Sequence, residues 1–359
     1  MTYWLTFCLA SLIALSVTPV SMKLASKWGA IAIPGGRHVH SRPIPRLGGL
    51  AMYAAFWLTV LVMNIWDEPK LLWGLFCGST IILLVGIWDD TKGMRPLVKL
   101  LWQIAAAVVL IFFGFSMASI TLPLIGPIPF GGLLALSTMG FILMLFWVVG
   151  LVNTVNISDG LDGLAAGICL MVALLLFWFA NRSIYQGSAT VVDAHLIAHL
   201  TIALAGAILG FLFYNFPPAH VFMGDSGSMF LGYIIGGISI IGMLKTATIL
   251  GLVFPLLILG MPVTDLTFAI IRRKLRGQSI AMADRGHLHH RLLDAGLSHR
   301  HAVLTMYGIS ACFGMAAVLG AEGQWIWALV VLVFDFAVII MILMRRTSKL
   351  AVLSRRHLK

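Results

Sequence analysis

The sequence predicts an all-α, polytopic membrane bundle of about eleven transmembrane helices. Three observations lead there. Hydrophobic residues make up 60% of the 359 residues and charged residues 10%, whereas a soluble globule has roughly 45–50% apolar residues. The apolar runs approach the roughly 20 residues a helix needs to cross a bilayer, which selects helices over a barrel of short alternating strands. The basic residues alternate in density from one inter-span loop to the next, which is a topology signal and not a nucleic-acid footprint.

In chain order the spans are read at 2–21, 47–66, 71–88, 97–115, 133–152, 164–180, 194–214, 228–244, 247–271, 302–320 and 325–344. The first has no basic region ahead of it and no small-residue cleavage pattern after it, so it reads as a retained helix and not a signal peptide. Threading the spans alternately leaves Lys70, Arg182 and Lys245 on one side and all the other Lys and Arg on the opposite side. The positive-inside rule then sets the N-terminus outside and the C-terminus in the cytoplasm, in the cell's inner membrane. Loops 22–46, 89–96, 153–163, 215–227 and 272–301 become cytoplasmic. Segment 116–132, rich in Gly and Pro, reads as a small extracytoplasmic β-hairpin or turn. One domain covers 1–359, with no internal repeat. Cys8, Cys77, Cys169 and Cys312 fall within apolar runs and are expected to be buried thiols without disulfides.

Within the bilayer, Asp265 and Asp335 are functional candidates by default. A partner on a neighbouring helix, or one of the arginines after Asp265, is the plainer account. His195 and His199 lie one turn apart near the outer end of their span and read as an interfacial polar face.

The chemistry concentrates on the cytoplasmic side. Asn153, Asn156, Asp159 and Asp162 recur every three residues, so on a helix their oxygens share one slowly drifting face. Hard oxygens that converge suit Mg²⁺ or Mn²⁺; equally, the stretch reads as an Asx-rich turn with positive φ at Gly160 and Gly163. Asp89 and Asp90 end a helix, where acids oppose the macrodipole, and Lys99 follows ten residues on. Phe222-Met-Gly224-Asp225 opens another helix, either as an N-cap or as a phosphate and metal seat. Arg285, His287, His289 and His290 offer donors to an anion. Carboxylates that face phosphates repel them unless a divalent cation intervenes, so the mixture points to metal-assisted phosphoryl transfer.

These motifs, with Pro43-Ile-Pro45-Arg46-Leu-Gly48-Gly49, resemble the polyprenyl-phosphate N-acetylhexosamine 1-phosphate transferases over essentially the whole chain. The resemblance implies that Asn156 and Asp225 hold Mg²⁺ (Mn²⁺ as an alternative), that Asp89 and Asp90 line the acceptor phosphate, one of them as base, and that Lys99 meets phosphate. It implies that His287, His289 and His290 contact the sugar nucleotide. Asp159 and Asp162 join the catalytic candidates; Arg46, Asn153 and Arg285 join the substrate-binding ones. The implied reaction moves N-acetylhexosamine 1-phosphate, foremost GlcNAc 1-phosphate, from a UDP-sugar to undecaprenyl phosphate and releases UMP. Phospho-MurNAc-pentapeptide transfer is the nearest alternative, and an ion-coupled transporter is the alternative of another class; within the implied reaction, direct attack by the lipid phosphate and an aspartyl-phosphate on Asp89 or Asp90 both stay open. Partners are then the lipid acceptor, the UDP-N-acetylhexosamine and the bilayer, without nucleic acid and with a homodimer left open.

Overall fold

The computed structural model describes residues 2–33, 43–115, 119–122, 126–129, 134–186, 191–246, 259, 260, 264, 267, 274 and 288–356. It divides into two compact units, Met1–Pro255 and Leu256–Lys359. The chain is a polytopic helical membrane protein: among the described residues eight helices are long and apolar enough to cross a bilayer, with two shorter apolar helices beside them.

In the first unit the helices are α1 (Thr2–Trp28), α2 (Gly48–Val62), α3 (Pro69–Lys92), α4 (Pro96–Phe112), α5 (Leu134–Ser158), α6 (Leu164–Gln186), α7 (Val191–Asn215) and α8 (Gly224–Thr246). Strand β1 (Ile31–Ala32) pairs antiparallel with β2 (Ile44–Pro45), and β3 (Ser119–Leu122) with β4 (Gly126–Pro129). The second of these is the expected hairpin of segment 116–132. The pairing of β1 with β2 has no signal in the sequence beyond the prolines that end the segment.

Helix α8 organises this unit. It packs against α2, α3, α5, α6 and α7, and nearly all its residues up to Gly242 are buried. A helix that is apolar on every side belongs in the middle of a bundle. Around it α1 packs on α2 and α7, and α6 on α7. Aromatic edges fill the space between α2, α3 and α8: Phe56 lies across Trp57 and Phe230, and Trp57 across Phe76. Helix α2, with 15 residues, spans only about 22 Å at 1.5 Å per residue, less than the hydrocarbon thickness of about 30 Å. Its short reach leaves the preceding segment 43–47 at the level where α8 begins.

In the second unit α9 (Leu288–Asp294), α10 (His299–Ala321) and α11 (Trp325–Arg356) are described. Ser298 caps α10, its hydroxyl accepting from the His301 N–H. The expected span at 247–271 lies largely outside the described residues, as does Asp265. Asp335 is buried, and its Oδ2 has no hydrogen-bond partner among the described residues.

Several boundaries move. Helix α5 continues to Ser158, so Asn153 and Asn156 belong to a helix and not to a loop, while Asp159 follows the last helical residue. Helix α3 carries Asp89 and Asp90 inside its last turn, and α8 starts at Gly224, with Asp225 in its first turn. Of the two glycines expected at positive φ, Gly163 has it (73°) and Gly160 does not. Cys169 is buried, but Cys8 is exposed and Cys77 and Cys312 are half-buried. A small thiol costs little against hydrocarbon, so burial is not required of it. His195 and His199 are met by α1: the Tyr3 hydroxyl bonds His195 Nδ1, and Thr6 bonds His199 Nδ1 at 3.3 Å.

Candidate active site

The site begins with a clasp of two backbone segments. The Phe222 N–H donates to the Pro45 carbonyl at 2.8 Å, the Gly48 N–H to Phe222 at 3.0 Å, and the Gly49 N–H to Met223 at 3.0 Å. The two motifs that read as separate loops, 43–49 and 222–225, thus form one unit. Gly224 sits in it with φ 70°. A Cβ there would stand 2.1 Å from the Arg46 carbonyl oxygen and 2.5 Å from Asp90 Oδ2, so only glycine fits.

Asp90 completes the clasp from α3. Its Oδ1 accepts the Asp225 N–H at 2.9 Å and its Oδ2 the Ser226 N–H at 3.0 Å. A helix leaves its first N–H groups without intrahelical partners, and a carboxylate suits that positive end. The cap of α8 is therefore supplied by another helix, and both Asp90 oxygens are engaged by it.

Asp89 points elsewhere. Lys99, near the start of α4, lies 3.0 Å from Asp89 Oδ2, forms a close ion pair with Asp225 Oδ2, and reaches Asn156 Oδ1 at 3.4 Å. Oxygens from α3, α5 and α8 thus converge on one ammonium whose side chain is 15% exposed. Asn156 Nδ2 donates to Asp225 Oδ1 at 2.7 Å and to Ser228 Oγ at 2.9 Å.

Beyond this ring, Asn153 Nδ2 donates to Gln103 Oε1 at 2.7 Å, one turn along α4 from Lys99. Asp162 Oδ2 accepts the Ala219 N–H at 3.0 Å, and Asn215 Oδ1 accepts the Gly163 N–H at 3.0 Å. The turn after α5 is thereby fastened to the segment that leads into the clasp. Asp159 is half-buried between these parts. Loss of hydration, then the charges of Asp225, Asp90 and Asp162, push its carboxyl up to about 8, opposed by the Arg46 charge. Arg46 thus acts on the same field while its backbone serves the clasp.

Of the residues expected at the site, Asp89, Lys99, Asn156 and Asp225 meet directly. Asp90, Asn153 and Asp162 hold the surrounding backbone and side chains, and Asp159 shares the field. Arg285 and His287 lie outside the described residues; His289 and His290 fall on α9, with side chains outside those described. Three participants escaped the sequence reading: Gln103, Asn215 and Ser228. A glutamine inside an apolar run, one helical turn after Lys99, was the available signal for the first.

No three His, Cys, Asp or Glu side chains among the described residues form a metal cage. Two oxygens, from Asn156 and Asp225, with Asp89 nearby, suit instead a hard cation such as Mg²⁺, which keeps several waters and takes other ligands from a phosphate substrate. The Lys99 ammonium marks where those oxygens already meet around a positive charge.

Known proteins resemble this chain over most of its length. Residues 72–243 match the model of glycosyl transferase family 4. The chain is 36% identical over 342 residues, 95% of its length and 91% of the relative's, to a protein of Bacillus subtilis (strain 168) named probable undecaprenyl-phosphate N-acetylglucosaminyl 1-phosphate transferase. It is 37% identical over 82% of its length, and 77% of the relative's, to the decaprenyl-phosphate N-acetylglucosaminephosphotransferase of Mycolicibacterium smegmatis. It is 30% identical over 75% of its length, and 82% of the relative's, to the phospho-N-acetylmuramoyl-pentapeptide-transferase of Leuconostoc mesenteroides.

Proposed function

The chain belongs to glycosyl transferase family 4, and from that premise we propose that it transfers N-acetylglucosamine 1-phosphate from UDP-GlcNAc to a polyprenyl phosphate, releasing UMP. The observation that carries the proposal is the convergence of Asp89, Asn156 and Asp225 oxygens on Lys99 at one end of a membrane bundle. Such a place serves one substrate held in the lipid and one arriving from water. An ion-coupled transporter would hold its acids near the midplane of broken helices; Asp89 ends α3 and Asp225 begins α8.

In the proposed reaction an oxygen of the lipid phosphate bonds to the β-phosphorus of the donor. The bond from that phosphorus to the bridging oxygen breaks, and UMP leaves with the electron pair. A phosphate monoester is already largely anionic near neutral pH, so the protein's task is chiefly positioning and charge neutralisation. Asn156 and Asp225 would hold Mg²⁺, which when bound neutralises the diphosphate oxygens. Lys99 gives its charge to the acceptor phosphate or to the leaving group, and Asp89 takes a proton from an acceptor that arrives protonated. Asp90 keeps Asp225 in place by capping α8. Arg46 balances the carboxylates around Asp159, and Arg285 with the histidines of 287–290 serves the sugar nucleotide. The charge asymmetry of the loops supports a cytoplasmic site, with the N-terminus outside.

GlcNAc is preferred to phospho-MurNAc-pentapeptide because the Bacillus subtilis and Mycolicibacterium smegmatis relatives named for GlcNAc, at 36% and 37% identity, stand above two named for the pentapeptide, at 30% and 31%, whereas a GlcNAc-named relative of Escherichia coli O157:H7 stands at 27%. The test is a donor panel with purified protein, a polyprenyl phosphate and Mg²⁺. UDP-GlcNAc should yield UMP and a lipid-linked sugar, and UDP-MurNAc-pentapeptide neither; the reverse result would replace the substrate while leaving the reaction class.

A further inference from the structure

Ser228 lies one turn along α8 from Asp225 and is fully buried. Its hydroxyl donates to the Gly224 carbonyl, four residues back, at 3.0 Å, a common bond of serine within a helix. A hydroxyl has a single proton, so Ser228 can present only a lone pair to its other neighbour. That neighbour is the Asn156 carboxamide, whose Nδ2 lies 2.9 Å from Ser228 Oγ and 2.7 Å from Asp225 Oδ1.

The ionised Asp225 carboxylate is likewise only an acceptor. Two acceptors on one helix thus claim both protons of the Asn156 nitrogen. An amide turned over would set its oxygen against two hydrogen-bond acceptors and leave both protons facing Lys99, itself a donor. We infer that Ser228 is a positioning residue that fixes the Asn156 carboxamide with its oxygen toward the cationic centre between Asp89, Asp225 and Lys99. This deepens the reaction proposed above and rests on it only for the consequence: Asn156 can be a cation ligand because Ser228 keeps the amide nitrogen turned away. Asp225 Oδ1 holds one of the two amide protons and Ser228 Oγ holds the other.

The test uses the purified full-length protein labelled with nitrogen-15 asparagine, without added metal, and reads the side-chain NH₂ signal that Asn156→Ala removes. In the wild type both protons should exchange slowly with water. Ser228→Ala should move this signal and raise its exchange roughly fivefold, the factor that one neutral hydrogen bond carries. Ser228→Cys keeps the volume with a poorer acceptor and should do the same if the alanine variant folds badly, while Ser228→Thr should restore the wild-type signal.

Manganese titration of the same samples by electron paramagnetic resonance reads the consequence: affinity lower by a similar factor in the alanine and cysteine variants, and recovered in threonine. Wild-type protein that binds no Mn²⁺ would refute the metal assignment, and the amide signal would still decide the orientation. An Asn156 signal unchanged in both Ser228→Ala and Ser228→Cys would overturn the inference.

Discussion

Asp90, at the end of α3, holds the first turn of the helix that carries Asp225, accepting the Asp225 N–H at 2.9 Å and the Ser226 N–H at 3.0 Å. The adjacent Asp89 bonds no backbone of that turn and instead meets Lys99 at 3.0 Å. Two identical neighbours in the sequence thus have different work.

That division predicts different phenotypes. Asp90→Ala should lower the thermal midpoint in detergent, by the loss of a cap worth about 0.5–2 kcal/mol, and reduce turnover as Asp225 shifts. Asp89→Asn should leave the midpoint near the wild-type value and cut turnover by at least about a hundredfold if Asp89 acts as a base. Unfolding scans beside UMP-release rates separate them; the opposite assignment would appear as stability loss in Asp89→Asn alone.

Gly224→Ala should be among the most damaging small substitutions in the chain. The added Cβ meets the Arg46 carbonyl and the Asp90 carboxylate at a positive φ, adding about 1–3 kcal/mol of backbone strain before the clash is counted. The yield of folded protein by size-exclusion chromatography should fall sharply, whereas Gly150→Ala, with nothing within 4 Å of the new Cβ, should be silent.

Asp159 gives a pH dependence of stability. Its carboxyl titrates near 8 in the folded protein, against an ordinary value of 3.8. Between these values the folded state holds a proton that the unfolded chain has lost, so stability falls as pH rises from about 4 to about 8 and is then flat. Asp159→Asn should remove this slope. Thermal midpoints of both proteins between pH 5 and 9 check it, and a wild-type midpoint that rises over this range relative to Asp159→Asn would contradict it.

The orientation can be read from the two ends of one helix. In a variant lacking Cys8, Cys77, Cys169 and Cys312, Lys92→Cys at the end of α3 should react with an impermeant maleimide only from the cytoplasmic side. Lys70→Cys at its start should react only from outside. Labelling of both residues from one side would exclude α3 as a span.

The bundle was legible because apolar run length and alternating loop charge are local properties of a membrane chain. Helix ends were not. The apolar run before Asn153 ends where the backbone does not, since Asn153 and Asn156 find partners in Gln103, Asp225 and Ser228 and let α5 continue to Ser158. Asp89, Lys99, Asn156 and Asp225 stood out because polar side chains at the ends of apolar runs need a reason. The splitting of Asp89 from Asp90 was beyond the sequence, because it depends on which carboxylate faces the start of α8. The clasp of 43–49 on 222–225 was hidden for a similar reason: it is made of backbone hydrogen bonds, which leave no side-chain pattern to read.

The fate of the donor's β-phosphorus tests the central proposal most directly. UDP-GlcNAc labelled with radiophosphorus at the β-position and with tritium in the sugar is incubated with purified protein, a polyprenyl phosphate and Mg²⁺, and the organic and aqueous phases are counted. The proposal predicts both labels together in the lipid, with an equal amount of unlabelled UMP in water, and neither product from Asp225→Asn. Tritium in the lipid with the phosphorus left in aqueous UDP would show transfer of the sugar alone, and would contradict the phosphoryl-transfer chemistry assigned to this site.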